Sequence, residues 1–179
     1  MGGAVAMELA LRTPNRVRKV VLVDALGFGT EVAPGILDKL VNSNTREEVQ
    51  ALMAVAVHDP ALVLPVAVER SYAYRQEPGV QALLKRVAAQ FSDGTRNLVD
   101  YSRRLKDLKM PVLVVWGKED RMLPVSNASH AKALPSGRLK VFDRCGHLPQ
   151  LEKAAEFNAL VMEFLMARDT PTQRVPSPL

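Results

Sequence analysis

MPVLVVWGKED, residues 110–120, is the stretch that decides the fold. Its apolar part, residues 112–116 (VLVVW), is rich in β-branched side chains and carries no charge, which is typical of a strand covered on both faces. Gly117 and Asp120 are common turn formers, so the chain is expected to turn directly after this strand. The turn leaves the Asp120 carboxyl group at the carboxyl end of a strand, where parallel sheets gather their functional groups.

Two more strands and two flanking helices are predicted around this centre. Residues 17–24 (VRKVVLVD) are almost continuously apolar after Lys19, and residues 139–142 form a third, shorter candidate. Residues 2–12 place small and apolar side chains all round a helix, which suits burial against a sheet, and an amphipathic helix is expected over about residues 153–166. Helices alternating with buried strands predict an α/β fold with a parallel sheet.

The segment between the first and second strands has a helical texture punctuated by prolines and contains no convincing strand. Thr45 and Glu48 form a capping-box pattern before a helix expected over 49–57, and residues 79–91 carry apolar side chains at helical spacing. A short helix is also expected over 128–134, after the second strand.

The predicted organisation therefore has three parts. Residues 1–26 and 110–167 form the core, residues 27–109 are a helical insertion, and residues 168–179 are a proline-rich tail that we expect to be disordered.

Composition excludes several classes of function. The net charge of +5 comes from Lys and Arg scattered among acids without interleaved aromatics, so nucleic acid is not an expected partner. Cys145 is the single cysteine, which excludes an internal disulfide, and the three histidines are too dispersed to predict a metal site. No apolar stretch is long enough to span a membrane. We expect a cytoplasmic protein that needs no metal and no organic cofactor.

The candidate catalytic residues are Asp120, after the second strand, and His147, after the third in the sequence Cys145-Gly146-His147. A carboxylate can fix the tautomer of an imidazole and stabilise its protonated form, which leaves the other ring nitrogen free to take a proton from a nucleophile. The remaining requirement is a nucleophile earlier in the chain.

The opening residues, Met1-Gly2-Gly3-Ala4 before a helix, resemble the second half of a nucleophile elbow, G-x-S-x-G. Together with Asp120, His147 and Glu152 at the start of the last helix, they make the chain similar to the α/β-hydrolase family over residues 1 to about 167. The resemblance places the serine one residue before Met1, gives Gly2 the trailing glycine position, and makes the Met1 nitrogen an oxyanion-hole donor. It also implies that residues 27–109 are the helical cap that shapes the substrate pocket.

The resemblance further implies acyl transfer to water from an ester, a thioester or a carbon–carbon bond beside a carbonyl, so the expected partner is a small acyl substrate. Because the serine and the early strands of a complete member are absent, this reading takes the chain to be a truncated form that is inactive by itself. Residues 58–63 (HDPALV) and 68–84 are similar to the hydrolase-like domain of the acetyltransferase component of acetoin-cleaving complexes, which keeps an acyltransferase open. A non-catalytic protein that associates with itself or a partner through an exposed sheet edge is the third alternative.

Several other residues compete for these roles. Asp24 also ends a strand, and some family members place the acid there. Cys145 is adjacent in sequence to the histidine and is expected to be structural. No function is assigned to His58, His130 or the serines outside any elbow pattern, namely Ser71, Ser92, Ser102, Ser126 and Ser129.

Candidate pocket and hinge residues are drawn mostly from the insertion. A minority of Phe28, Met53, Tyr72, Tyr74, Phe91 and Met122 are expected to touch substrate, and Gly27, Gly29 and Gly94 are candidate hinge positions.

Overall fold

A computed structural model describes residues 1–91 and 99–167 of the chain. Its strands are β1 (Val20–Val23), β2 (Val112–Gly117) and β3 (Gly137–Phe142). Its α-helices are α1 (Gly2–Arg12), α2 (Ile36–Asn42), α3 (Arg46–Ala56), α4 (Pro65–Gln76), α5 (Val80–Phe91), α6 (Pro149–Glu152) and α7 (Ala154–Met166), and short 3-10 helices cover Pro14–Arg16, Pro60–Leu62, Ser102–Asp107 and Val125–Ala133.

The sheet is parallel throughout, with the order β1-β2-β3. Val23 is in register with Val115, and Gly117 with Phe142, so all three strands end at the same edge. The predicted α/β fold with a short parallel sheet is confirmed, and the polar loops that follow the strands meet at that edge.

Strand lengths differ from the sequence expectation for local reasons. The first strand begins at Val20 rather than Val17, because the Val20 N–H bonds to the carbonyl of Pro111 and a proline has no N–H to extend the ladder. The third strand begins earlier, at Gly137. Its first residues are exposed on an edge strand, so they lack the apolar pattern by which a strand is predicted.

The core lies on both faces of β2, whose six residues are all buried. Val112, Val114 and Trp116 pack in one cluster with α1 and β1, whereas Leu113 and Val115 pack on the opposite face with Phe142, Cys145 and Phe164. This alternation follows from the two-residue period of a strand. It fixes the direction in which β2 delivers the loop that carries Asp120.

The described part of the insertion, residues 27–91 and 99–109, is helical and contains no strand. The predicted capping box is present: Glu48 N–H donates to Thr45 Oγ1, and the Glu48 carboxylate accepts from Thr45 N–H. Helix α3 starts there at Arg46 and ends at Ala56. The Val125–Ala133 segment is 3-10 rather than α-helical.

The predicted tail, 168–179, lies outside the described residues, and the division into core and insertion stays a prediction. Within the described residues, no helix is both long enough and apolar enough to cross a membrane.

Candidate active site

Asp120 sits in the turn after β2 with its side chain fully buried. Its Oδ1 accepts hydrogen bonds from the backbone N–H of Met122 at 2.7 Å and of Leu123 at 3.0 Å. Two backbone donors on one oxygen fix the rotation of the carboxylate, so Oδ2 is held in a defined direction.

His147 lies in the loop after β3, and that loop is tied to the β2 loop. Glu119 N–H donates to the carbonyl of Cys145, and the Glu119 carboxylate accepts from Cys145 N–H at 2.9 Å. Gly117 lies so close to this loop that a Cβ there would stand 1.8 Å from the Gly146 carbonyl oxygen. Only glycine fits at position 117, and the close approach brings the two strand ends together.

The two predicted residues meet: His147 Nδ1 lies 2.8 Å from Asp120 Oδ2. A carboxylate can only accept, so the Nδ1 atom carries the proton and the Nε2 atom is left able to take one. The imidazole is partly exposed, at 23% of its side-chain surface, whereas the carboxylate behind it has none. This arrangement can act as a general base followed by a general acid.

Asp24, the competitor, lies at the same edge. It follows β1 directly, with φ at 41°, and is 3% exposed, and its Oδ1 accepts the N–H of Gly117 at 2.9 Å. One polar side-chain atom from each of Asp24, Asp120 and His147 falls within a group no wider than 4.8 Å. Burial raises the pKa of Asp24 to about 9, and the nearby Asp120 charge adds to the rise. The predicted independence from metals stays a prediction.

The start of the chain lies beside the end of β1. Met1 caps α1 with its carbonyl, and a Cβ on Gly3 would stand 2.5 Å from the Cβ of Ala25. Gly2, by contrast, has nothing within 4 Å of such an atom. The close helix–strand approach is therefore made at Gly3, and the elbow role of Met1 and Gly2 stays a prediction. Burial lowers the pKa of the Met1 amine.

Cys145 is fully buried, and burial raises the pKa of its thiol to about 12. A thiol of that pKa carries almost no thiolate near neutral pH, which agrees with the structural role expected for it.

The candidate pocket residues separate by exposure. Phe28 is fully buried and packs against Trp116 with ring centroids 6.1 Å apart, so it belongs to the core and not to a pocket wall. Phe91 lines a groove of about 400 Å³ beside α1. Gly29 is tightly packed against Asn127, since a Cβ there would stand 2.2 Å from its Oδ1. Ser92 and Gly94 lie outside the described residues.

Sequence reasoning missed the contacts made by three residues, of which Glu152 was named only for its place at the start of the last helix. Arg121 donates from Nη2 to the carbonyls of Ala54 and Val57, at the end of α3. Glu152 accepts from His58 N–H at 2.6 Å and from Gly146 N–H at 2.8 Å. Such contacts join residues far apart in sequence and leave no local pattern.

The third is Arg75, a buried residue of α4 that is 7% exposed. Its Nη2 donates to the Leu40 carbonyl, but within the described residues its Nε and Nη1 have no partner. Burial lowers the pKa of this guanidinium.

The family model for the α/β-hydrolase fold matches residues 1–154. The chain therefore belongs to the α/β-hydrolase family. It is 36% identical to the acetyltransferase component of the acetoin cleaving system of Cupriavidus necator over 166 residues, covering 92% of this chain and 44% of that protein. It is 31% identical to a 2-hydroxymuconate semialdehyde hydrolase of Pseudomonas putida over 173 residues, covering 94% of this chain and 60% of that protein.

Solved structures agree with these sequence matches. A 2-hydroxy-6-oxo-6-phenylhexa-2,4-dienoate hydrolase from Rhodococcus superposes with a TM-score of 0.83 and is 28% identical to this chain. The match covers 93% of this chain and 62% of that one. The chain thus spans between 44% and 60% of the two curated relatives named above.

Proposed function

We propose that this chain carries the acid–base half of a serine-dependent hydrolase acting on an ester, a thioester or a carbon–carbon bond beside a carbonyl. The observation that carries the proposal is the 2.8 Å contact between His147 Nδ1 and Asp120 Oδ2, with the carboxylate fixed by two backbone amides. That geometry leaves Nε2 as the proton acceptor that a hydroxyl nucleophile needs.

In the proposed reaction, His147 Nε2 takes the hydroxyl proton of a serine as its oxygen attacks the carbonyl carbon. Asp120 stabilises the imidazolium, which then gives its proton to the departing oxygen, sulfur or carbon. Water repeats the sequence on the acyl-serine, so that the acid is released and the serine regains its proton. Met1 N–H is the proposed oxyanion donor in a chain in which a serine precedes it.

The nucleophile is the group that this chain lacks, since no serine in the sequence stands in a G-x-S-x-G elbow. We therefore expect the 179-residue chain to be inactive by itself. The relatives' greater length supports this view, because the chain covers 60% of the Pseudomonas putida hydrolase.

A chimera tests the proposal. The N-terminal part of that hydrolase is joined to this chain with a serine directly before Met1, and hydrolysis of p-nitrophenyl acetate is followed. We expect turnover by the chimera that is abolished by His147→Ala, and none by the chain alone. A folded chimera whose turnover survives His147→Ala would overturn the proposal, as would serine-type turnover by the unextended chain.

We propose Arg75 as the residue that binds a carboxylate of the substrate, on the basis of its burial and its incomplete pairing. Its two unpartnered nitrogen atoms, Nε and Nη1, are buried donors that suit an anion, because leaving buried guanidinium N–H groups unpaired is costly. The relatives that act on dienedioates carry such groups in their named substrates. The proposed substrate is accordingly a small acyl compound with a free carboxylate. We also propose a cytoplasmic location for the protein.

An acyltransferase is the second candidate, favoured by the 36% identity to an acetyltransferase component. In that case the acyl-serine is attacked by a thiol and not by water. Incubating the chimera with acetyl-coenzyme A and dihydrolipoamide separates the two: a transferase forms acetyl-dihydrolipoamide faster than it releases acetate, and a hydrolase does the reverse.

Self-association is the third candidate and is favoured by exposed apolar side chains. Val5 and Leu9 on α1 are more than half exposed, at 66% and 54%, and β1 pairs on one side only within the described residues. Open strand edges and apolar patches attract partners. Sedimentation equilibrium of the chain tests this candidate, since a non-aggregating monomer would remove its basis.

A further inference from the structure

Asp24 is held in a costly place. It follows β1 directly and lies in the left-handed region, with φ at 41°, which residues other than glycine rarely adopt. Its backbone N–H continues the sheet by donating to the Val115 carbonyl at 3.0 Å, and its Oδ1 accepts the Gly117 N–H. These contacts fix the carboxyl group at the carboxyl end of the sheet, with 3% of the residue exposed.

The second oxygen of Asp24 has no hydrogen-bond partner among the residues that the structure describes. The Asp24 carboxyl group lies next to the Asp120–His147 pair, because one polar atom from each of the three side chains falls within 4.8 Å of the others. Asp120 already accepts two N–H groups on Oδ1 and faces the imidazole with Oδ2. A proton on the Asp24 carboxyl group would turn its unpartnered oxygen into a hydrogen-bond donor for the Asp120 carboxylate.

The charges around Asp24 also favour that proton. Asp120 on the β2 loop and Glu152 on α6 both act on Asp24 as negative charges. The neighbouring Cys145 thiol experiences the charge of Asp24 and also those of Glu119, an acid of the β2 loop, and Lys153, a base. His147, on the β3 loop, already faces Asp120. Two ionised carboxylates side by side in a buried site repel each other, so one of them retains its proton.

We propose that Asp24 is a positioning residue that stays protonated and donates a hydrogen bond from its carboxyl group to the Asp120 carboxylate. The three side chains then form a chain of acid, carboxylate and imidazole. This inference rests on the proposed function, in which His147 is the base. Asp24 touches no reacting atom: it supplies a further donor to Asp120 and leaves a single negative charge behind the imidazole. The raised pKa of Asp24 agrees with this assignment.

Carbon-13 NMR of the chain labelled at aspartate carboxyl groups tests the protonation, with a chelator present so that no cation contributes. We expect the Asp24 signal to be that of a neutral carboxyl at pH 7 and to titrate near its pKa of about 9. In Asp120→Asn we expect the titration of Asp24 to move to lower pH, because the neighbouring charge is gone. An Asp24 signal that is already ionised at pH 7, or one unaffected by Asp120→Asn, would overturn the proposal.

The low-field proton resonance of His147 Nδ1–H tests the positioning role. Asn at position 24 keeps an acceptor for Gly117 N–H and an N–H donor for Asp120, and it tolerates a left-handed φ. We expect Asp24→Asn to retain the resonance and Asp24→Ala to shift or broaden it. Asp143→Asn, at the end of β3 and exposed, is the matched control and should change nothing. An unchanged resonance in a folded Asp24→Ala variant would contradict the role.

The two proposals fail separately. The NMR measurements need no turnover, so an ionised Asp24 beside a chimera that hydrolyses esters would remove the positioning role alone. A neutral Asp24 in a chain whose folded chimera stays inactive would remove the proposed function and leave the hydrogen bond from Asp24 to Asp120 in place.

Discussion

The backbone N–H of His147 donates to the carbonyl oxygen of Ala56 at 2.7 Å. Ala56 is the last residue of α3, so the helical insertion is hydrogen-bonded directly to the loop that carries the imidazole. Arg121, next to Asp120, and Glu152, after the histidine loop, add bonds to the same end of α3. The loops that carry Asp120 and His147 therefore both bind one helix end, and that end is expected to determine how firmly the pair is placed.

Arg121→Met tests this connection. The guanidinium satisfies carbonyls of Ala54 and Val57 that have no further helical partner, so its loss is expected to lower the free energy of unfolding by about 1 kcal/mol. Amide hydrogen exchange should speed up at the end of α3 and in the His147 loop. Arg104→Met removes only a half-exposed ion pair to Glu8 and should leave exchange in both places unchanged. Equal effects of the two substitutions would contradict the connection.

Gly117→Ala should disrupt the site. Its Cβ would stand 1.8 Å from a backbone oxygen of Gly146, so one loop must move, and we expect a loss of about 3 kcal/mol or more in unfolding free energy. Gly2→Ala meets nothing within 4 Å in a helix and should leave stability unchanged or raise it by up to about 1 kcal/mol. Urea denaturation measures both, and a stable Gly117→Ala chain would refute the packing described.

Asp24→Asn should change how stability depends on pH. The pKa of Asp24 is raised from 3.8 to about 9 in the folded chain. The stability that its proton contributes is therefore fully present below the unfolded pKa and is lost as the pH rises through the folded pKa. The advantage of Asn over Asp should therefore grow between about pH 5 and pH 8, by up to about 1.4 kcal/mol per pH unit.

Denaturation midpoints of both chains at several pH values measure this trend. Asp143→Asn is the matched control: the pKa of Asp143 is lowered by Lys118, so its effect should be flat across that range. A flat difference for Asp24→Asn as well would show that Asp24 is ionised throughout.

Arg75→Met should leave the unfolding free energy within about 1 kcal/mol of the original, or raise it, because a buried guanidinium with two unpartnered nitrogen atoms is replaced by an apolar side chain of similar length. Muconate, an unsaturated dicarboxylate, should raise the melting temperature of the original chain and not that of the variant. Stabilisation by muconate that survives in Arg75→Met would remove the carboxylate role from this residue.

The sequence predicts those parts of the site that follow from local pattern. The strand at 112–116 is recognisable by its unbroken apolar run, and Asp120 and His147 each follow a strand, so their meeting could be expected from the shared edge of a parallel sheet. The start of α3 could be placed because Thr45 and Glu48 satisfy its first N–H groups by themselves.

What the sequence could not predict depends on distances between loops. Asp24 could be named as a competitor, but its place beside Asp120 requires the register of Val23 with Val115. The preference for Gly3 over Gly2 at the close approach to Ala25 depends on the angle at which α1 crosses the sheet. No local sequence pattern around Arg121 predicts its contact with α3.

The most direct test of the central claim, that Asp120 and His147 work as one acid–base unit, is a double-mutant measurement of kcat/KM in the chimera. We predict that His147→Ala and Asp120→Asn each lower kcat/KM by at least about 10³-fold, and that the double variant loses no more than the worse single variant, because residues that act as a unit are not additive. Losses that multiply, or an Asp120→Asn variant that keeps its activity, would contradict the account.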